Sequence, residues 1–271
     1  MQIFSYLTAE MQIFLVAVIA LIFGSFGTLV SYRLARKQPI IFARSQCPNC
    51  GYKLKAVNLI PLFSWIFQRG KCSNCHTRIS LRYPLIELSF LAAFLTVYFA
   101  LNRNLNAQTF TLFAIATTLI CMVIIDLEEY FIPDSLQYFL AILVTILVIL
   151  KGGTPAVLAN IPAAFLYLGF GVALWLFFHF AAHIDALGID DLKFFFISGF
   201  ALGTKNFLTF MLLSGVLGTL FGVLWQKLKK DETFPFAPAI CVALFLCLLF
   251  QKQINPVDLL GSILFLQNSE F

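Results

Sequence analysis

Charge is scarce in this chain. Only 11% of its 271 residues are Asp, Glu, Lys or Arg, against 61% hydrophobic residues and 32 phenylalanines. So little charge excludes an ordinary soluble domain and points to a multi-spanning membrane protein. No Lys or Arg precedes Arg33, and no small-residue cleavage site closes the first apolar run. The first segment is therefore expected to stay as an anchor and not to be removed as a signal peptide. Internal repeats, low-complexity segments and a glycine-rich nucleotide fingerprint after a strand are all missing. The net charge of +5 does not imply nucleic acid as a partner, because the cations are clustered.

What is present is a series of apolar runs, expected at about 11–33, 84–101, 108–126, 134–150, 156–182, 192–204, 206–226 and 236–252. About 20 apolar residues cross a bilayer, so these predict an all-α integral membrane protein of about eight transmembrane helices. Ten of the 18 Lys and Arg lie from Arg33 to Arg82, which makes that loop cytoplasmic by the positive-inside rule. With both termini outside, 14 Lys and Arg fall on the inner side and four (Arg103, Lys151, Lys205, Lys252) on the outer. Three regions are expected: a first transmembrane helix at 1–33, a cytoplasmic loop domain at 34–83 and a polytopic core at 84–271.

The loop carries Cys47-Pro-Asn-Cys50 and Cys72-Ser-Asn-Cys75. In a reducing compartment, two Cys-x-x-Cys pairs at this separation match a tetrahedral structural zinc site, with all four thiolates as ligands. Closed coordination would stabilise the loop's fold and leave no position to activate water. His76 is expected to be a surface neighbour and not a ligand. Cys121, Cys241 and Cys247 sit in apolar runs as core residues.

The acids form the second signal. Asp126 follows Val-Ile-Ile with no polar spacer, and an ionised carboxylate against hydrocarbon is costly unless it is functional or paired. Glu128 and Glu129 read as loop acids. Asp134, after Pro133, reads as a cap for the next helix. Gly188-Ile-Asp190-Asp191-Leu-Lys193 falls at the same membrane face in this threading. Arg33 and Lys193 can neutralise the acids or bind lipid headgroups. His179 and His183, four residues apart, read as interfacial, and Asp185 belongs to the same polar mouth.

Several stretches together resemble the type IV prepilin peptidase family of membrane aspartyl proteases. They are Gly24 to Arg33, Ser45 to Gly51, Asn58 to Trp65, Arg69 to Cys75, Ile79 to Glu87, Asp126 to Asp134 and Gly188 to Lys193. The resemblance implies a peptidase of the bacterial inner membrane with its active site facing the cytoplasm. Such enzymes cut the short basic leader from prepilins or pseudopilins of type IV pilus and type II secretion systems. Many members then N-methylate the new terminus with S-adenosylmethionine. Membrane lipid is an implied partner, and a homodimer stays open.

By this resemblance the catalytic pair is Asp126, heading Asp-x-x-x-x-x-Ile-Pro-Asp, and Asp191, in the place of the aspartate of Gly-x-Gly-Asp-x-Lys. Asp190 replaces the second glycine of that motif, and Asp190, Asp134 and Lys193 are the supporting or alternative groups. A glycine there permits positive φ or close approach, so the replacement raises the prospect of weakened chemistry. Helix polarity would make Asp191, at a helix N-terminus, the resting base and Asp126, at a C-terminus, the resting acid. The alternative is an inactive assembly factor that docks prepilins through its zinc loop. A transporter relaying protons or cations through the acids is a further rival, although no inverted repeat halves are visible.

Overall fold

The computed structural model describes residues 8–39, 45–182, 187–229 and 234–254. Among them the elements are helical: α1 (Ala9–Ala35), α2 (Phe63–Phe67), α3 (Arg82–Ala100), α4 (Ala107–Glu129), α5 (Asp134–Phe177), α6 (Ile189–Leu202), α7 (Phe207–Lys229) and α8 (Ala237–Ile254). Strand pairing in the described residues is limited to two isolated bridges in the loop. Five helical stretches are long and apolar enough to cross a membrane: α1, α3, α4, the 48-residue run Asp134–Ala181, and Thr204–Lys229. The eightfold count is thus approximate, because two of the expected spans share one helical run and two others are short. α6 has only 14 residues, and the apolar part of α8 ends at Phe250.

The 48-residue run would extend roughly 70 Å if straight, more than twice the hydrocarbon core. It breaks at Gly153, whose φ of 69° and ψ of −165° leave the helical region, with Pro155 two residues on. The contacts show that the chain doubles back there. Asp134 and Gln137, before the break, touch the start of α6 at Lys193 and Asp190. Gly171, after the break, lies against Phe195, while Asn160 and Tyr167 bond to carbonyls at the far end of α6, Phe200 and Gly203. α6 therefore runs alongside the first half of α5 and antiparallel to the second. The break falls in the gap expected between the spans at 134–150 and 156–182.

Internal packing divides the chain into two units, Met1–Ile125 and Asp126–Phe271, with the division inside α4. In the first unit α1 packs on α3, and the Phe90 ring lies over Gly27. Phe94 stacks on Phe113 at 4.3 Å, and Tyr98 donates from its hydroxyl to Gln12 Oε1 at 2.8 Å. Thr8 caps α1 by accepting the Met11 N–H, with Glu10 in the first turn and Arg33 in the last, the polarity a helix dipole favours. In the second unit the end of α7 meets the residues beyond α4, where Tyr130 packs edge-on against Trp225.

Candidate active site

α4 ends in a strained turn. Tyr130 has φ of 59°, a region that bulky side chains rarely enter, and its N–H bonds to the Asp126 carbonyl at 3.0 Å. Asp126, in the last turn of α4, is 6% exposed, and its carboxylate Oδ2 accepts the backbone N–H of Ala237 at 2.9 Å. That N–H heads α8, where Pro238 follows, so an orphan helix donor is satisfied by the buried acid. Asp191 Oδ2 accepts the Gly188 N–H at 3.0 Å, the reach-back half of a capping box at the start of α6. Asp126, Asp190 and Asp191 lie close enough to act on one another electrostatically, and Cys241 of α8 is within range of Asp126 and Asp191.

Asp190 has a different partner. Lys193 Nζ lies 3.2 Å from Asp190 Oδ1 and 2.6 Å from Asp134 Oδ1. Asp134 stands at the first position of α5, where Pro133 is the cap residue and, among the described residues, no side chain caps the helix. Its carboxylate is thus committed to Lys193, which competes with the expected capping role. Asp190 is helical, so the glycine it replaces is not required here for a left-handed backbone. The premise of a resting acid and a resting base is also removed: Asp126 ends one helix but faces the N-terminus of another, so each carboxylate accepts one backbone N–H.

Two contributors carry no obvious mark in the sequence. Gln137 is buried, donates from Nε2 to the Asp190 carbonyl at 3.2 Å, and among the described residues has no partner for Oε1. Ala237 contributes only its backbone. The Ala-Pro start of an apolar run does announce a helix N-terminus, but not what it faces. His179 stacks on Trp175. His183 and Asp185 lie outside the described residues.

The four thiols of the loop converge. All four Sγ atoms lie within 4.8 Å of one another, and Cys47 and Cys75 are 3.9 Å apart. Zinc–sulfur bonds of ~2.3 Å at tetrahedral angles require about 3.8 Å between sulfurs, close to the Cys47–Cys75 separation, so the cluster is of a size that fits a metal. The two knuckles match each other. Gln46 bridges Lys53 as Lys71 bridges Arg78, and Asn49 and Asn74 each donate to a cysteine of the other knuckle. His76 takes the positive-φ position that Gly51 takes in the first knuckle, which accounts for it outside the ligand set. The Thr77 hydroxyl, 3.0 Å from Cys75 Sγ, holds that thiol down to about 5, so it meets a metal as thiolate. Among the described residues this is the one group of His, Cys, Asp and Glu ligand atoms close enough to share an ion. The carboxylates near Asp126 are not such a group.

A buried carboxylate, Asp126, within electrostatic reach of the half-buried Asp190 and Asp191 at the ends of apolar helices, in a chain that also bears a four-thiol loop, marks a multi-pass membrane protein with an acidic candidate site. The sequence profile of the type IV leader peptidase family matches residues 112–223, and that of the bacterial peptidase A24 N-terminal domain matches residues 18–101. The prepilin leader peptidase/N-methyltransferase of Bacillus subtilis (strain 168) is 32% identical over 242 residues, covering 88% of this chain and 94% of that protein. The protein of the same name from Pseudomonas putida is 27% identical over 297 residues, 96% of this chain and all of that protein. The Aeromonas salmonicida (strain A449) one is 30% identical over 219 residues, 80% and 74% of the two chains. No solved structure matches. The chain belongs to the type IV leader peptidase family.

Proposed function

We propose that this protein is a membrane aspartyl endopeptidase that removes the leader from prepilin-like proteins and then N-methylates the new terminus. Asp126 and Asp191 are its catalytic pair. Two carboxylates that share one proton do both halves of the work: the ionised one draws a proton from water as it attacks the amide, and the protonated one polarises the carbonyl. The observation that carries this reading is the burial of Asp126 within electrostatic reach of Asp191, each fixed by a backbone N–H. Lys193 holds Asp134 and Asp190 as counter-ions, which supports assigning the chemistry to the other two acids.

A cytoplasmic active site is supported by the clustering of ten of the 18 Lys and Arg between Arg33 and Arg82, and the bacterial inner membrane by the family resemblance. Cys47, Cys50, Cys72 and Cys75 would hold a structural zinc. Methyl transfer, with S-adenosylmethionine as donor, rests on the relatives' name and on the family resemblance, and no step is derived through the donor. The inactive docking factor is not favoured, because the replaced glycine sits where the backbone is helical.

The test is cleavage of a prepilin-type peptide (basic leader, Gly-Phe junction, apolar helix) by the purified protein. Asp126→Asn and Asp191→Asn should each lower the rate by roughly 10³-fold or more, as removal of one member of a catalytic unit does. Asp190→Asn should retain cleavage. Loss with Asp190→Asn but not with Asp191→Asn would transfer the role to Asp190.

A further inference from the structure

The segment between α1 and α3 carries a surface that neither the thiolate cluster nor the carboxylates use. From Met11 through Ile86 there is no Asp or Glu, whereas ten Lys and Arg fall from Arg33 to Arg82. In the middle of this cationic stretch, the turn Ala56–Leu59 and the short α2 expose Val57, Leu59, Ile60, Phe63, Ile66 and Phe67. Phe67 is 82% exposed and Val57 71%. A connection that merely joined two helices would not present so much apolar surface, and clustering of this kind marks an interaction site.

Two sets of contacts fix where that surface lies. The Leu62 N–H donates to Glu87 Oε2 at 2.7 Å, and Glu87 is buried in the second turn of α3. α2 is thereby pinned close to the point where a spanning helix begins. Trp65 Nε1 donates to the Ile79 carbonyl, and the Gly70 N–H to the Trp65 carbonyl, which tie α2 to the second knuckle. Leu62 itself has φ of 59°, so the Glu87 bond also holds an unusual turn that directs the chain into α2.

We propose that α2 and the turn before it form an interfacial membrane anchor. Phe63, Ile66, Phe67, Val57 and Ile60 enter the headgroup region of the leaflet from which α3 emerges. The exposed Lys53, Lys55, Arg69 and Lys71 bind acidic phospholipid headgroups. Apolar side chains flanked by cations, with no acids, are the composition that holds a segment on an anionic bilayer surface. Charge selects this occupant over the others. The leader in the proposed reaction is basic and would be repelled by the loop, and a second copy of this chain would bring the same positive charge. Only the exclusion of the leader rests on that reading of the function.

The experiment uses the full chain in nanodiscs of phosphatidylcholine alone or mixed with phosphatidylglycerol, with Phe67→Trp as reporter and the parent protein, with its own three tryptophans, as background. Val57→Trp is the second reporter should the first disturb folding, and retained metal content shows that the loop is intact. The expected result is loss of the added emission when the lipid is brominated, protection from aqueous iodide, and a larger loss in discs with phosphatidylglycerol. Replacing Lys53, Lys55, Arg69 and Lys71 together by Glu should erase the difference between the two lipids. Quenching by iodide and not by brominated lipid would overturn the anchor, because the surface then faces water. Protection from both would overturn it in favour of a protein partner. Neither readout needs catalytic turnover, so an inactive protein would defeat the peptidase reading and leave this test standing.

Discussion

Lys193 shows how one side chain can matter for charge and little for stability. Its side chain is 41% exposed, and its ammonium pairs with Asp134, whose side chain is 56% exposed, and with Asp190. Exposed pairs of this kind contribute about 0.2–1 kcal/mol each after screening. Lys193→Met should therefore shift the unfolding midpoint in detergent only slightly. Cleavage should fall by more than that small shift explains, since the substitution removes a positive charge from among Asp126, Asp134, Asp190 and Asp191. Lys193→Arg should restore most of the rate. Equal loss of stability and activity in Lys193→Met, without rescue by Arg, would mean that the side chain acts structurally. Asp126 was legible at this scale because an acid set directly after Val-Ile-Ile has few inexpensive environments. Its partner Ala237 was not, since a backbone donor 111 residues away leaves no trace in side-chain pattern. Gln137 likewise reads as an ordinary polar residue in a helix, and only the fold brings it to Asp190.

At the scale of elements, the helices were legible from the apolar runs, and the cysteine knuckles from their spacing. The turn at Gly153 appeared in the sequence only as a gap between two runs, because periodicity reports helices but not the dihedral angles that separate them. The fit between α5 and α6 was not legible. It depends on Gly199, where a Cβ would lie 2.6 Å from the Ala163 carbonyl oxygen and 2.9 Å from Ala164 Cα. Backbone atoms cannot swing aside as a side-chain tip can, so α6 would have to move. Gly199→Ala should cost about 1–3 kcal/mol, the usual range for overpacking. Gly169→Ala is the control within α5, where a Cβ meets nothing within 4 Å. That change should be neutral or stabilising by up to about 1 kcal/mol, the helix preference of Ala over Gly. Thermal unfolding of both variants in detergent checks the contrast, and equal effects would mean that the close approach does not limit stability.

Across the whole molecule, the thiol cluster and the acids occupy separate regions of the sequence and separate packing units. The described partners of Asp126, Asp190 and Asp191 are Ala237, Gln137, Lys193 and Gly188, all from Asp126–Phe271. Cys47 and Cys72 are the buried members of the cluster, and four thiolates around one ion would leave no open position for water. Metal removal should thus unfold the loop without dismantling the carboxylate pair. Cys72→Ser, or prolonged chelation, should abolish bound zinc and make the loop sensitive to protease. Peptide cleavage should persist at a rate that Asp126→Asn does not approach. Mass spectrometry of the metal, limited proteolysis and the peptide assay on one preparation separate the outcomes. Zinc loss that reduced cleavage as deeply as Asp126→Asn would show that the loop's fold supports the acids directly. A zinc-free loop that stayed protease-resistant would instead show that hydrogen bonds across the knuckles, such as those from Asn49 and Asn74, hold it without the ion.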